Sequence, residues 1–123
     1  MSALVIFTVD VRRLAAFYEA VLEVRPTLEP SGDIRLRAER EEILIHTIPA
    51  KIAKGIEIRT PPQPRDGAAI KPAFDVESLE VSLDAVTANH GVVTGRSFTL
   101  DGLTRHDVLD PDGNVIQLRG HAN

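Results

Sequence analysis

The chain has 123 residues, of which 43% are hydrophobic and 26% are charged, and this balance is typical of a single globular domain. The absence of cysteine excludes disulfides, thiolate metal sites and a cysteine nucleophile, and it favours the reducing cytoplasm as the location of the protein. The net charge of −4 and the scattered basic residues do not predict a nucleic-acid partner. No apolar run approaches the roughly 20 residues of a membrane-spanning helix, so no membrane partner is expected.

The first half of the chain predicts a strand, a helix and three further strands. Apolar and β-branched residues indicate a buried strand at Ala3–Val9. Asp10 is a suitable N-cap, and the apolar helical face after it should end near Glu23, because Pro26 cannot continue a helix. Three more apolar runs predict the strands Ile34–Ala38, Ile43–Ile48 and Gly55–Thr60.

The second half has the same plan after a proline-rich connector at Pro61–Gly67, which is too short to link two independent domains. Lys71–Val76 predicts a strand, Ser78 an N-cap and Gly91 the end of the helix that follows. Asp112-Gly113 is a strong hairpin signal. The remaining predicted strands are Arg96–Leu100, Leu103–Leu109 and Asn114–Arg119.

An internal repeat connects the two halves. When the first half is aligned with the second by a shift of 68 residues, the N-cap candidate Asp10 aligns with the N-cap candidate Ser78. Ala15 and Leu83, which lie on the apolar faces of the two predicted helices, also align. Sequence identity between the halves is slight, but the order β-α-β-β-β occurs twice. Such a repeat implies two units that share one sheet or core.

Two stretches of this plan resemble a known superfamily. Val9-Asp10-Val11 followed by Phe17–Leu22 resembles the first-module signature of the vicinal oxygen chelate superfamily, which includes glyoxalases, bleomycin resistance proteins and extradiol dioxygenases. Leu109–Asn114 and Val115–Leu118 resemble its final hairpin and last strand. With the doubled element order, the resemblance covers nearly the whole chain.

The resemblance implies an α+β fold in which two βαβββ modules form cupped mixed sheets with their helices outside. The single domain would span residues 1–123, with one module at about 1–60, the connector at 61–67 and the second module at about 68–120. A small-molecule ligand is expected in the cup between the modules, and a homodimer is the expected assembly.

The resemblance also implies four metal-ligand positions, which fall at Ala3, Glu57, Lys71 and Gln117. Ala3 has no donor atom, Lys71 is a cation that repels a divalent ion, and Gln117 offers only a neutral carbonyl oxygen. A catalytic metal site needs about three protein ligands, and Glu57 alone is a strong one. We therefore expect no cofactor; if a divalent metal binds, Glu57 and Gln117 are its candidate ligands.

Strand alternation, counted from these positions, predicts which side chains face the cup. The predicted ligand-binding residues are Phe7, Glu57, Arg59, Lys71, Asp75, Gln117 and Arg119. One hypothesis is that Lys71 and Glu57 form an ion pair whose ammonium binds an anionic or carbonyl-bearing ligand, in place of part of the metal's electrostatic role. The alternative is that this pair only fills a vacated site and holds the modules together.

Two histidines and one carboxylate are candidates for catalysis. His46 lies in a strand-like run and would act as an acid, base or metal ligand if it faces the cup, whereas a structural hydrogen-bonding role is the alternative. The same two interpretations apply to His106, whose neighbours Arg105 and Asp107 must face the opposite side of a regular strand. Glu57 would be a general base.

Three functions are consistent with these residues. The first is a metal-independent protein that encloses a small molecule between its modules. The second is an enzyme of the same superfamily, a lyase, isomerase or dioxygenase with an atypical metal site that uses His46 or His106, or with Glu57 as its base. The third is a subunit whose cup is mostly structural.

Overall fold

The structure, a computed structural model, describes residues 2–38, 41–56, 58, 60–65 and 68–121. The elements are β1 (Ser2–Thr8), α1 (Val11–Leu22), β2 (Arg25–Leu28), β3 (Ile34–Arg37), β4 (Glu41–Thr47), α2 (Ala50–Ala53), β5 (Ala73–Asp75), α3 (Leu79–Ala88), β6 (Val92–Leu100), β7 (Leu103–Leu109) and β8 (Val115–Gly120). Apart from the single turn α2, the order β-α-β-β-β occurs twice. None of the described helices has the length and apolarity needed to span a bilayer.

The strands form two four-stranded sheets with the same topology. The first sheet has the order β1-β4-β3-β2 and the second has the order β5-β8-β7-β6. In each sheet the first strand of the module lies at an edge and runs parallel to the last strand, while the other pairs are antiparallel. The expected α+β fold of two βαβββ modules with mixed sheets is confirmed.

The first module differs from the prediction in which segments form its strands. Its second strand, β2, was not predicted, and all four of its residues are exposed. The predicted strand at Gly55–Thr60 is wrong for the residues described there, since Gly55, Ile56, Ile58 and Thr60 do not lie in a strand. The remaining residues of that range, Glu57 and Arg59, lie outside the described part of the chain. The last strand of this module is therefore β4.

Both predicted helix caps are present. The side chain of Asp10 accepts a hydrogen bond from the backbone N–H of Arg13 at 3.1 Å, and the hydroxyl of Ser78 accepts one from Val81 at 3.3 Å. These bonds satisfy amide groups that have no partner inside their helices. The helix α1 ends where predicted, with Glu23 in the left-handed conformation at φ 54°.

The helices cover one face of the sheets and share a core. On β1 and β4, Leu4 and Ile6 pack against buried Ile43 and Ile45 on the helix side. The hydroxyl of Ser82 in α3 donates to the carbonyl of Val21 in α1 at 2.8 Å, which joins the two modules. The core residues from both modules form one continuous cluster.

The other side of each sheet is its open face, and strand register fixes its members. The open face of the first sheet carries Ala3, Val5, Phe7, Arg35, Arg37, Glu42, Leu44 and His46. The open face of the second sheet carries Ala73, Asp75, Phe98, Arg105, Asp107, Val115, Gln117 and Arg119.

Candidate functional site

An ion pair lies on the open face of the second sheet. The Nζ atom of Lys71 is 3.1 Å from Oδ2 of Asp107, and the side chains are 45% and 10% exposed, respectively. Asp107 in β7 lies directly opposite Gln117 in β8, and its carbonyl accepts a hydrogen bond from the Thr94 hydroxyl at 2.7 Å. The Asp107 carboxylate uses one donor of an ammonium group that has three, and the Lys71 side chain is exposed enough for the others to meet a ligand.

Two arginines lie on the same face. Arg119 donates from Nε to Asp75 at 2.9 Å, an exposed pair between β8 and β5. Arg105 lies over the ring of Phe98, 5.5 Å from its centroid, in a cation–π contact. With Lys71, these side chains give this face three cations, which exceed by one the two carboxylates of the same face, Asp75 and Asp107. The remaining positive charge favours a ligand that carries negative charge.

The predicted site residues are only partly brought together. Lys71, Asp75, Gln117 and Arg119 share this open face, whereas Phe7 lies on the open face of the first sheet. The predicted partner of Lys71, Glu57, lies outside the described residues together with Arg59. The described partner, Asp107, was not predicted as a site residue. Strand alternation could have identified it, because alternation puts Asp107 on the side of the sheet opposite to His106.

Strand register gives a structural equivalent for each position at which the resemblance expects a metal ligand. In the second sheet, Gln117 pairs with Ala73. The repeat of 68 residues makes Val5 the equivalent of Ala73, and in the first sheet Val5 pairs with Leu44. Because β4 is the last strand that the structure describes in the first module, the equivalent of Gln117 among the described residues is Leu44.

The four equivalent positions are Ala3, Leu44, Lys71 and Gln117. Two apolar side chains, a cation and a neutral amide do not fit a divalent metal ion, which requires imidazole, carboxylate or thiolate ligands. Elsewhere among the described residues, no three His, Asp or Glu side chains are close enough to hold a metal.

A cleft of about 460 Å³ opens beside Lys71, between the start of β1 and the segment that leads into β5. Its walls include Ala3 on one side and Ile70 and Pro72, the neighbours of Lys71, on the other, whereas Lys71 itself lies next to the cleft and does not line it. Glu41 and Glu42 also line it; Glu42 is paired with Arg35 and Arg37, and burial, followed by the charge of Asp75, raises the pKa of the Glu41 carboxyl. The volume lies within the range of about 300–1,000 Å³ that is usual for small-molecule sites.

His46 lies on the open face of the first sheet. Its Nδ1 atom is 2.6 Å from Oδ2 of Asp33, and its ring meets that of Phe7 edge-on with the centroids 5.2 Å apart. The hydrogen bond to His46, together with one from the backbone N–H of Thr47, lowers the pKa of Asp33. Asp33 was not predicted as a partner of His46.

His106 lies on the opposite, helix-covered side of its sheet. Its Nε2 atom is 2.7 Å from the carbonyl oxygen of Thr94, where β6 has an irregular register. Arg105 and Asp107 are on the open face, as strand alternation predicts. The three consecutive residues therefore do not form one site.

No family model matches the sequence, and no curated protein matches it. The fold is similar to that of solved structures along nearly its whole length. A glyoxalase/bleomycin resistance protein from Albidiferax ferrireducens T118 is 20% identical with a TM-score of 0.71, and 99% of this chain and 98% of that chain are covered. A glyoxalase/bleomycin resistance protein/dioxygenase family enzyme from Burkholderia phytofirmans PsJN is 19% identical with a TM-score of 0.71, with 98% and 97% covered.

A genomically encoded fosfomycin resistance protein, FosX, from Listeria monocytogenes is similar at 13% identity and a TM-score of 0.69, with 99% of this chain and 93% of that chain covered. The chain thus has the fold of the glyoxalase/bleomycin resistance/dioxygenase proteins. The resemblance to the vicinal oxygen chelate superfamily is confirmed at the level of the fold.

Proposed function

We propose that the protein binds a small molecule with an anionic or carbonyl group in the cleft beside Lys71, and that binding requires no metal ion. The observation that carries this proposal is the Lys71–Asp107 ion pair, which occupies a position where the resemblance expects a metal ligand. The ammonium group would bind the oxygen atoms of the ligand, while Asp107 holds it in position. The apolar walls of the cleft would bury the rest of the ligand.

The metal content of the purified protein tests whether binding requires no metal ion. The alternative is a metal-dependent lyase, isomerase or dioxygenase with an atypical site. Protein purified without chelator or affinity tag should contain much less than one transition-metal ion per chain by mass spectrometry. A stoichiometric metal would contradict the proposal and favour the alternative.

Substitution of Lys71 tests the binding site itself. Small carboxylic acids, glutathione conjugates and cationic antibiotics should first be screened by thermal shift, because a ligand raises the apparent stability of the state that it binds. For an anionic ligand found this way, Lys71→Met should weaken binding at least about tenfold, since it removes a charge-assisted hydrogen bond. The Lys71 side chain is 45% exposed, so the fold should persist, but the loss leaves the buried Asp107 carboxylate without its cation and thermal unfolding must accompany the binding assay.

The matched control is Lys54→Met, which removes the same charge from an exposed position outside the site. It should leave the affinity unchanged. Equal affinity of the wild type and Lys71→Met would refute the role of Lys71, and equal loss in both variants would indicate only a general effect of net charge.

We further propose a homodimer that acts in the cytoplasm. Two large apolar side chains of the edge strand β6, Phe98 and Leu100, support an assembly, because they are about half exposed. Sedimentation velocity over a range of protein concentrations would measure the assembly. A monomer at all concentrations would contradict it.

A further inference from the structure

The open face of the first sheet holds a carboxylate–imidazole pair that the proposed function does not use. Asp33 immediately precedes β3 and lies across from His46 in β4, so strand pairing holds the two residues side by side. Their closest atoms, Oδ2 and Nδ1, are 2.6 Å apart. The other carboxylate oxygen, Oδ1, accepts the backbone N–H of Thr47 at 3.2 Å, which fixes the orientation of Asp33.

This pairing determines which nitrogen of His46 carries the proton. The lowered pKa of Asp33 keeps its side chain ionised at neutral pH, and a carboxylate only accepts hydrogen bonds. In the neutral imidazole, Nδ1 must therefore carry the hydrogen and Nε2 the lone pair. The His46 side chain is 42% exposed, and Nε2 bonds to none of the described residues, so its lone pair is accessible.

The surroundings of His46 are apolar on one side. Phe7 contacts the imidazole edge-on and is 56% exposed, and Val5 and Leu44 continue the same open face one strand pair away. These three side chains form an apolar platform on the open face next to His46. Arg35, the nearest cation on β3, is already bonded to Glu29 and Glu42. A small molecule with an apolar body would lie on the platform and present a proton to His46.

We infer that His46 is a general base for proton abstraction from a small organic molecule bound on this platform, and that Asp33 is its positioning residue. The proton leaves a C–H or O–H bond of the molecule and moves to Nε2, while the electron pair remains on the molecule. The resulting imidazolium is paired with Asp33 and returns the proton to the product or to water, so no oxidant or metal takes part. This activity is independent of ligand binding at Lys71.

A synthetic carbon acid, 5-nitrobenzisoxazole, tests the base directly. A base removes the proton at C3, the C–H electrons complete a nitrile, and the N–O bond breaks to release a coloured phenolate. The wild type should exceed an equal concentration of free imidazole, and His46→Gln should lower the rate at least about tenfold, because a positioned general base contributes about 100-fold or more in evolved sites.

The control for this experiment is His106→Gln, since the imidazole of His106 is bonded to a carbonyl on the opposite side of the other sheet. It should retain the wild-type rate, and thermal unfolding should show that both variants are folded. A wild-type rate no greater than that of free imidazole, or an undiminished rate in His46→Gln, would overturn the inference.

The role of Asp33 has a separate spectroscopic test. In the wild type, ¹⁵N NMR should show the hydrogen of neutral His46 on Nδ1. Asp33→Asn keeps an acceptor for Thr47 but can donate to Nδ1, which should shift the hydrogen to Nε2 and reduce the rate about as much as His46→Gln does. An unchanged tautomer and an unchanged rate would show that Asp33 has only a structural role.

Discussion

Asp110, in the turn between β7 and β8, is a completely buried carboxylate whose lone pairs are fully used. Its Oδ1 atom accepts the backbone N–H groups of Asp112 and Asn114, both at 2.9 Å. Its Oδ2 atom accepts the Tyr18 hydroxyl at 2.6 Å and the Asn114 side chain at 2.8 Å. Burial raises the pKa of Asp110 above its ordinary value, and these bonds offset only part of that effect. The turn motif is therefore structural, because its charge is stabilised by donors inside the protein.

We expect Tyr18→Phe to destabilise the protein by about 1.5–3 kcal/mol, because it removes a hydrogen bond to a charged acceptor. The Tyr18 bond lowers the pKa of Asp110, so its loss raises that pKa further. The pKa of folded Asp110 already lies above the ordinary carboxyl value of 3.8, so the destabilisation should be largest at high pH, where Asp110 is ionised, and should shrink as the pH falls through that raised pKa. Urea unfolding across this pH range measures both effects.

The control for this prediction is Thr99→Val, which removes a hydroxyl from an exposed hydrogen bond with Thr104. That variant should change the free energy of unfolding by less than about 0.5 kcal/mol at any pH. A pH-independent loss in Tyr18→Phe would show that the hydroxyl interacts with Asp110 only weakly.

At the same scale, the sequence predicts which face a side chain lies on but not its partner. Alternation correctly separates His106 from Asp107 and puts Lys71 and Gln117 on one side, because the period of a strand is a local property. The pairs Lys71–Asp107 and Asp33–His46 depend on how neighbouring segments of a sheet are aligned, over 36 and 13 residues of sequence, respectively. A shift of one residue in the register would move every side chain of a strand to the other face of the sheet, and the register is determined only in the folded sheets.

At the scale of the elements, the helices and the second module are predictable because their signals are strong. The caps Asp10 and Ser78 lie at the predicted positions, and β7 has the predicted bounds. The strand β2 is not predictable, since all its residues are exposed and it contains Pro26, which is tolerated at the edge of a sheet. The sequence instead predicts a strand at Gly55–Thr60, after α2, and this predicted strand is the reason that Glu57 was expected to be a site residue.

The loop between α3 and β6 allows a test of packing between the modules. A Cβ atom at Gly91 would lie 2.5 Å from a ring carbon of Phe17 and 2.6 Å from the carbonyl oxygen of Leu109. Gly91→Ala must therefore displace α1 or the backbone of β7, and we expect a loss of about 1–3 kcal/mol in the free energy of unfolding. Chemical denaturation measures this loss.

Gly95 in β6 is the matched control, because a Cβ atom there would meet no atom within 4 Å. Gly95→Ala should be neutral within about 0.5 kcal/mol. If the two variants were equally stable, the close contact of α1 with this loop would be absent in solution.

At the scale of the whole molecule, the two modules do not have separate cores. Tyr18 in α1 is fully buried, lies 6.3 Å from the ring of Phe74 in β5 and bonds to Asp110. The hydroxyl of Thr8 donates to Asp112 at 2.6 Å, and so the end of β1 is also attached to the second module. Neither half can unfold without exposing apolar surface and carboxylates of the other.

We therefore expect both modules to unfold in one cooperative transition. Tyr18 is the only tyrosine in a chain without tryptophan, so its fluorescence reports on the junction between the modules, while far-UV circular dichroism reports on both sheets and both long helices. The two signals should give the same urea midpoint, as they do for a two-state domain. Measurement at two protein concentrations separates dissociation of a dimer from unfolding, because only dissociation shifts the midpoint with concentration. A fluorescence transition that precedes the loss of circular dichroism would mean that the junction opens first and that each module retains a stable core of its own.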